Sequence, residues 1–190
     1  MLSRRGQESA PFELLIAVIV MTFVMLFGYR AIAQMNREDC KARINQELQK
    51  MRTAIESTTN QASLERVVFE VPQCFKNGRV RLNSIRDKRV CSSICKEGRV
   101  QCIALDYFSD EFVKRVCVNI PMHTDFEGSV SGGPGTYCPD KRSETTGEPI
   151  SYELTPFTDE DVGVPNGTYV LYNKTPPGHT MPVICAYRMK

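Results

Sequence analysis

The chain has 190 residues, of which 42% are hydrophobic and 24% charged, with a net charge of +2. That length holds one compact domain and an appended segment, and the near-balance of charge gives no reason to expect nucleic acid as a partner. The charge is unevenly spread: residues 64–126 carry eleven Lys/Arg against eight Asp/Glu, and residues 127–190 carry five against eight.

From Leu14 to Phe27 every residue is apolar except Thr22. About ten of them are Leu, Ile, Val or Phe, each contributing roughly −0.3 to −0.6 kcal/mol to insertion. The sum, about −3 to −6 kcal/mol, outweighs the carboxylate of Glu13 near the end of the run, where a charge costs less than at the bilayer centre. Ala10 to Tyr29 supplies about twenty residues, enough for a helix to cross a hydrocarbon core of roughly 30 Å. A soluble core helix would show a polar face, and this run has none. Arg4 and Arg5 precede it and favour a cytoplasmic N-terminus. Arg30, Arg37, Lys41 and Arg43 lie on the other side, so the orientation is decided by the cysteines.

There are eight: Cys40, Cys74, Cys91, Cys95, Cys102, Cys117, Cys138 and Cys185. An even number of thiols beyond a membrane-targeting run predicts a disulfide framework in an oxidising compartment, hence an exported C-terminal part. Eight cysteines allow 105 connectivities, and the spacing does not choose among them. Cys91, Cys95 and Cys102 form C-x₃-C-x₆-C. Zinc ribbons and thioredoxin-like sites use C-x₂-C instead, so disulfides are expected and no metal or other cofactor is.

Three fates of the N-terminus fit parts of the sequence. A secretory peptidase would cut after the small residues Ala31–Ala33, and "SRR" offers the arginine pair of a twin-arginine signal. A cut between Gly6 and Gln7 instead leaves the apolar run on the mature chain. The stretch "RRGQESAPFELL" resembles the class III signal of archaeal type IV pilin-like proteins. In that pattern basic residues and a Gly precede the cut, and Gln-x-Ser-x-Glu-x-x-x-Leu runs into a long apolar helix. Gln7, Ser9 and Leu15 match; the Glu position holds Pro11, and the nearest acid is Glu13. The resemblance covers about the first thirty residues. It implies processing by a prepilin-type peptidase at Gly6/Gln7, docking through Glu13, and other pilin-like subunits as partners. Ser9 is a suitable N-cap, Pro11 suits a first helical turn, and Glu13 favours a helix N-terminus.

After Gly28 the helical pattern continues with Cys40, Ile44, Leu48, Met51 and Ile55 on one stripe and charges elsewhere. No proline interrupts residues 12–71, and "ESTTNQAS" signals the end. A helix over residues 10–58 would be about 75 Å long, with a bend permitted at Gly28. The stripe is expected to pack on the chain's own head, with Cys40 bridging helix and head; a short coiled-coil stalk is the alternative.

From about Leu64 the texture becomes short alternating runs. "RVVFEV", "RVRLNSI", "RVQCIALDYF", "VKRVCVNI", "ISYEL", "TYVLYN" and "VICAYR" predict strands between turn signals such as "KNGR", "KEGR", "PNG" and "TPPGH". "DYFSDEFVKR" also suits a short helix. Gly128–Pro149 reads as an exposed excursion pinned by Cys138. His123 and His179 lack a nucleophile motif or a second metal-ligand pair, and "TDEDVG" lacks the closing glutamate of a calcium loop. No enzyme is expected. Asn166 in "NGT" and Asn173 in "NKT" are glycosylation acceptors by pattern.

The expected architecture is α+β: a leader over 1–6, a transmembrane or filament-core helix over 7–29, an amphipathic continuation over 30–62, and a disulfide-rich, mainly antiparallel β head over 63–190. The expected function is a membrane-anchored, pilin-like surface protein in contact with membrane lipid, with its N-terminus cytoplasmic. A single-pass protein with a ligand-binding head that never polymerises is the alternative.

Overall fold

A computed structural model describes residues 10–61, 64–85, 87–96, 101–120, 124–126, 138, 152–154, 163–175 and 182–189. The chain divides into two compact units, Met1–Ala42 and Arg43–Lys190. One helix, α1 (Ala10–Gln61), runs through the boundary. Pro11 occupies its first turn, where the missing N–H costs nothing, and no later proline breaks it.

In the first unit, Phe12 through Asp39 are all exposed. Thr22, the polar residue within the apolar run, donates its hydroxyl to Val18 O at 2.8 Å, so its side chain is satisfied inside the helix.

In the second unit, α1 contributes a stripe that is wholly buried: Ile44, Leu48, Met51 and Ile55. Their spacing of four, three and four keeps them on one side of a 3.6-residue turn. This helical segment folds with the strands, so the stripe packs on the chain's own head as expected.

The strands are β1 (Glu65–Phe69), β2 (Arg79–Ile85), β3 (Cys102–Phe108), β4 (Val113–Val118), β5 (Asp125–Phe126), β6 (Tyr152–Leu154), β7 (Gly167–Lys174) and β8 (Val183–Met189). They form two sheets. The larger has order β1-β7-β8-β5, with β6 also on β8, and only the β5–β8 pair is parallel. The smaller is the antiparallel meander β2-β3-β4. The fold is α+β.

Side chains alternate across a strand, and the register sorts the larger sheet into two faces. Val67, Phe69, Tyr169, Leu171, Ile184 and Ala186 share the face under α1. Three hydrogen bonds fasten the helix there: Ser57 Oγ to Glu65 Oε1 (2.7 Å), Glu70 N to Glu47 Oε2 (3.1 Å) and Asn173 Nδ2 to Thr58 O (3.3 Å). The opposite face holds a second small core of Val170, Val183, Cys185 and Tyr187 with Cys138. A fourth bond, Asn119 N to Glu56 Oε1 at 2.7 Å, ties the end of β4 to the same helix.

Two features depart from the sequence reading. "DYFSDEFVKR" is a hairpin, not a helix: Ser109 N donates to Phe112 O at 3.0 Å, and the Ser109 hydroxyl closes the turn from both directions. In addition, a short helix α2 (Lys88–Cys95) stands between β2 and β3.

Candidate functional sites

The disulfides explain α2. Cys91 bonds to Cys102 and Cys95 to Cys117. Cys91 and Cys95 are one helical turn apart, so their side chains leave the same side of α2. Cys102 lies on β3 and Cys117 on β4, where register places both on one face of the small sheet. An eight-residue helix is below the length that is stable alone; two covalent staples to adjacent strands hold this one down. Asp87 caps it, its carboxylate accepting from Arg89 N and Val90 N. Cys138 bonds to Cys185 on the far face of the larger sheet. Cys40 and Cys74 are disulfide-bonded as well, and no cysteine is free.

Beside α2 on the same sheet face lies a row of charges. Arg81, Asp106 and Arg115 are directly opposite one another on β2, β3 and β4. Asp106 is 1% exposed. Arg115 grips it with Nε on Oδ1 and Nη2 on Oδ2, the second bond at 2.8 Å, and Asn83 Nδ2 adds a third at 2.8 Å. The hydrogen bond to Asp106 raises the Arg115 pKa further above its ordinary value. The hydrogen bonds to that carboxylate come from Arg115 and Asn83, and the Nε of Arg81 is buried without a hydrogen-bond partner among the described residues. The sequence signal for this row was the alternation in "RVRLN", which puts Arg79 and Arg81 on one face.

The first candidate site is the apolar stretch of α1. It is long and apolar enough to cross a membrane by length and composition, with a mean hydropathy of 2.3 in its most apolar window and none of that window buried. Glu13 is exposed in the first turn. Gly6 and Gln7 lie outside the described residues, as do His123, His179 and the acidic residues of "TDEDVG".

Both sequon asparagines have their amide nitrogens engaged. Asn166 Nδ2 donates to Val71 O at 3.0 Å, and Asn173 Nδ2 to Thr58 O as above. A groove of about 510 Å³ runs between α1 and β1, lined by Gln49, Lys50, Thr53, Ala54, Arg66 and Val67 among others. It is open and carries no converging catalytic set. Comparison with protein-family models, with curated proteins and with solved structures gives no match.

Proposed function

We propose that this chain is a membrane-anchored, pilin-like surface protein, a subunit or minor component of a type IV pilus-like filament. The observation that carries the reading is the change of character along α1. The helix is apolar and fully exposed through Phe27, then carries the buried stripe Ile44–Ile55 of a disulfide-bonded head. An exposed apolar helix of that length needs lipid or other apolar helices around it. About three helix turns of core contact and a cross-linked β head need an oxidising aqueous compartment on the other side.

On this reading a prepilin-type peptidase cuts between Gly6 and Gln7, and the retained helix is first anchor, then packing surface for other pilin-like subunits. Exchange of lipid for neighbouring helices changes hydrophobic burial little, so small residues and polar contacts decide the association. Glu13 is the charge placed to meet a neighbour's new N-terminus.

Carbonate extraction of membranes, followed by negative-stain microscopy of sheared surface material, tests it. The protein is expected in the membrane pellet and in filaments, and Glu13→Ala is expected to remain in the pellet while leaving the filaments. Release of the chain by carbonate ends the membrane reading, and normal filaments from Glu13→Ala end the docking role.

A further inference from the structure

We propose that the α2-bearing face of the small sheet binds an acidic polysaccharide through its carboxylate or sulfate groups. Register builds this face in cross-strand rows. Arg79, Phe108 and Val113 form one, Arg81, Asp106 and Arg115 the next, and Asn83, Ala104 and Cys117 a third. All are opposite the core-facing Val80, Leu82, Ile103 and Leu105. The Cys102 and Cys117 disulfides hold α2 on the same face, and α2 adds exposed Lys88 and Arg89, with exposed Lys96 at its C-cap.

Among the described residues of these three rows and α2 with its caps there are six cations (Arg79, Arg81, Lys88, Arg89, Lys96, Arg115) and two carboxylates (Asp87, Asp106). Six minus two leaves +4 on one face of a chain whose total is +2. Both carboxylates are committed internally: Asp87 to the first amides of α2, and Asp106 to Arg115 and Asn83. The β3–β4 turn adds Asp110 and Glu111 beyond the Arg79 row, and Asp110 there accepts from Asn77 Nδ2 at 3.0 Å. Among the described residues, none forms an ion pair with Arg81. Its guanidinium lies over Phe108, 5.9 Å from the ring centroid, and its Nε is buried and unpartnered. Arg79 is exposed one row away.

The form of the array selects the ligand class. Arginine forks match planar carboxylates and tetrahedral oxyanions better than any neutral group. Here they are spread over a pleated surface, about 9.6 Å apart from β2 to β4 (two strand spacings) and about 6.8 Å apart between alternate residues of β2. A polymer with one oxyanion per repeat meets such donors in turn. Single-strand nucleic-acid sites need aromatic faces open to bases, whereas Phe108 is covered by Arg81. Protein hot spots need an aromatic or aliphatic anchor in a pocket, whereas the exposed large apolar residues of this face are the isolated Val113 and, on α2, Val90. This inference deepens the surface-protein reading by giving its head a ligand, and it is tested without reference to leader processing or polymerisation.

The test is calorimetric titration of the full-length protein in detergent micelles with polygalacturonate and with dextran sulfate. Neutral dextran and single-stranded DNA serve as comparisons. Binding of an acidic polysaccharide at about 50 mM salt is expected, weakening at high salt. Arg79→Ser with Arg81→Ser is expected to weaken it by about tenfold or more, while Lys50→Ser on α1 leaves it unchanged. If the Arg81 change lowers the melting temperature, the exposed pair Arg79→Ser and Lys88→Ser carries the same expectation. No binding of either acidic polymer, wild-type affinity in the charge variants, or equal affinity for DNA overturns the assignment.

Discussion

Asn166 stands in for a strand residue opposite Val71. The β1–β7 ladder ends at Phe69 opposite Gly167, and the residue next due to face Val71 on the same ladder is Pro165, which has no N–H to give. The Asn166 side chain takes over both halves of the exchange: Oδ1 accepts from Val71 N and Nδ2 donates to Val71 O, each at 3.0 Å.

Removing that clasp strands two backbone groups in a half-buried corner. Asn166→Ala is expected to destabilise the head by about 1–3 kcal/mol, measured by chemical denaturation of the oxidised protein. Thr168→Ala, which destroys the sequon but leaves the clasp, is expected to change stability far less. Since the nitrogen a glycan requires is the one bonded to Val71, glycopeptide mass spectrometry is expected to find Asn166 unmodified. An occupied Asn166 in folded protein contradicts the clasp.

The disulfides are expected to differ in worth. Their sequence separations are 11 (Cys91–Cys102), 22 (Cys95–Cys117) and 47 (Cys138–Cys185). Loop-closure entropy then assigns them about 2.8, 3.4 and 4 kcal/mol. Paired Cys→Ser replacement at 138 and 185 is therefore expected to lower the denaturation midpoint most. Replacing Cys91 and Cys102 is expected to lower it least, although α2 is then held by the Cys95 staple alone. The reverse order would mean that local packing, not chain entropy, dominates.

At the β2 entrance, Tyr107 and Gly78 meet without room to spare. A Cβ on Gly78 would lie 2.3 Å from the Tyr107 hydroxyl oxygen, and that hydroxyl is buried with no well-formed hydrogen bond among the described residues. Tyr107→Phe is expected to be neutral or stabilising by up to about 1 kcal/mol, since it removes an unsatisfied polar group. Gly78→Ala is expected to cost about 1–3 kcal/mol as overpacking, and less in the Tyr107→Phe background. Denaturation of the two single variants and the double variant measures the coupling.

How much of this was legible from the residues alone differs by element. The α1 stripe was readable because Ile44, Leu48, Met51 and Ile55 repeat at helical spacing among charges. Seven strand runs were readable because alternation and turn residues agree. α2 was not: "KRVCSSIC" carries β-branched Val90 and Ile94 and only eight residues, and its helix depends on the Asp87 cap and two partners distant in sequence. The β3–β4 hairpin was ambiguous because Ser109–Phe112 lacks Gly or Pro, and the serine hydroxyl supplies the turn instead. Disulfide pairing is a property of the sheet register, which no local spacing encodes. The Arg81–Asp106–Arg115 row has the same origin.

Alkaline pH offers a further check. Tyr169 donates its hydroxyl to Pro165 O at 2.5 Å and packs edge-on against Phe69. Burial pushes its pKa well above the ordinary value of about 10, with Arg188 opposing weakly. The protonated form is thus favoured in the folded state. Its stabilising contribution is complete below pH about 10 and is lost as pH rises from there toward the folded-state value, because the unfolded chain ionises first. The slope is about 1.4 kcal/mol per pH unit. Tyr169→Phe is expected to lack this part of the alkaline loss in urea titrations; identical pH profiles would show that the ring is solvated.

The retained apolar helix is tested most directly by intact-mass and N-terminal peptide spectrometry of the protein extracted from membranes. A mature chain beginning at Gln7, with the whole of α1 present, is the predicted result. A soluble chain beginning at Gln34, stripped of the apolar run, would contradict it.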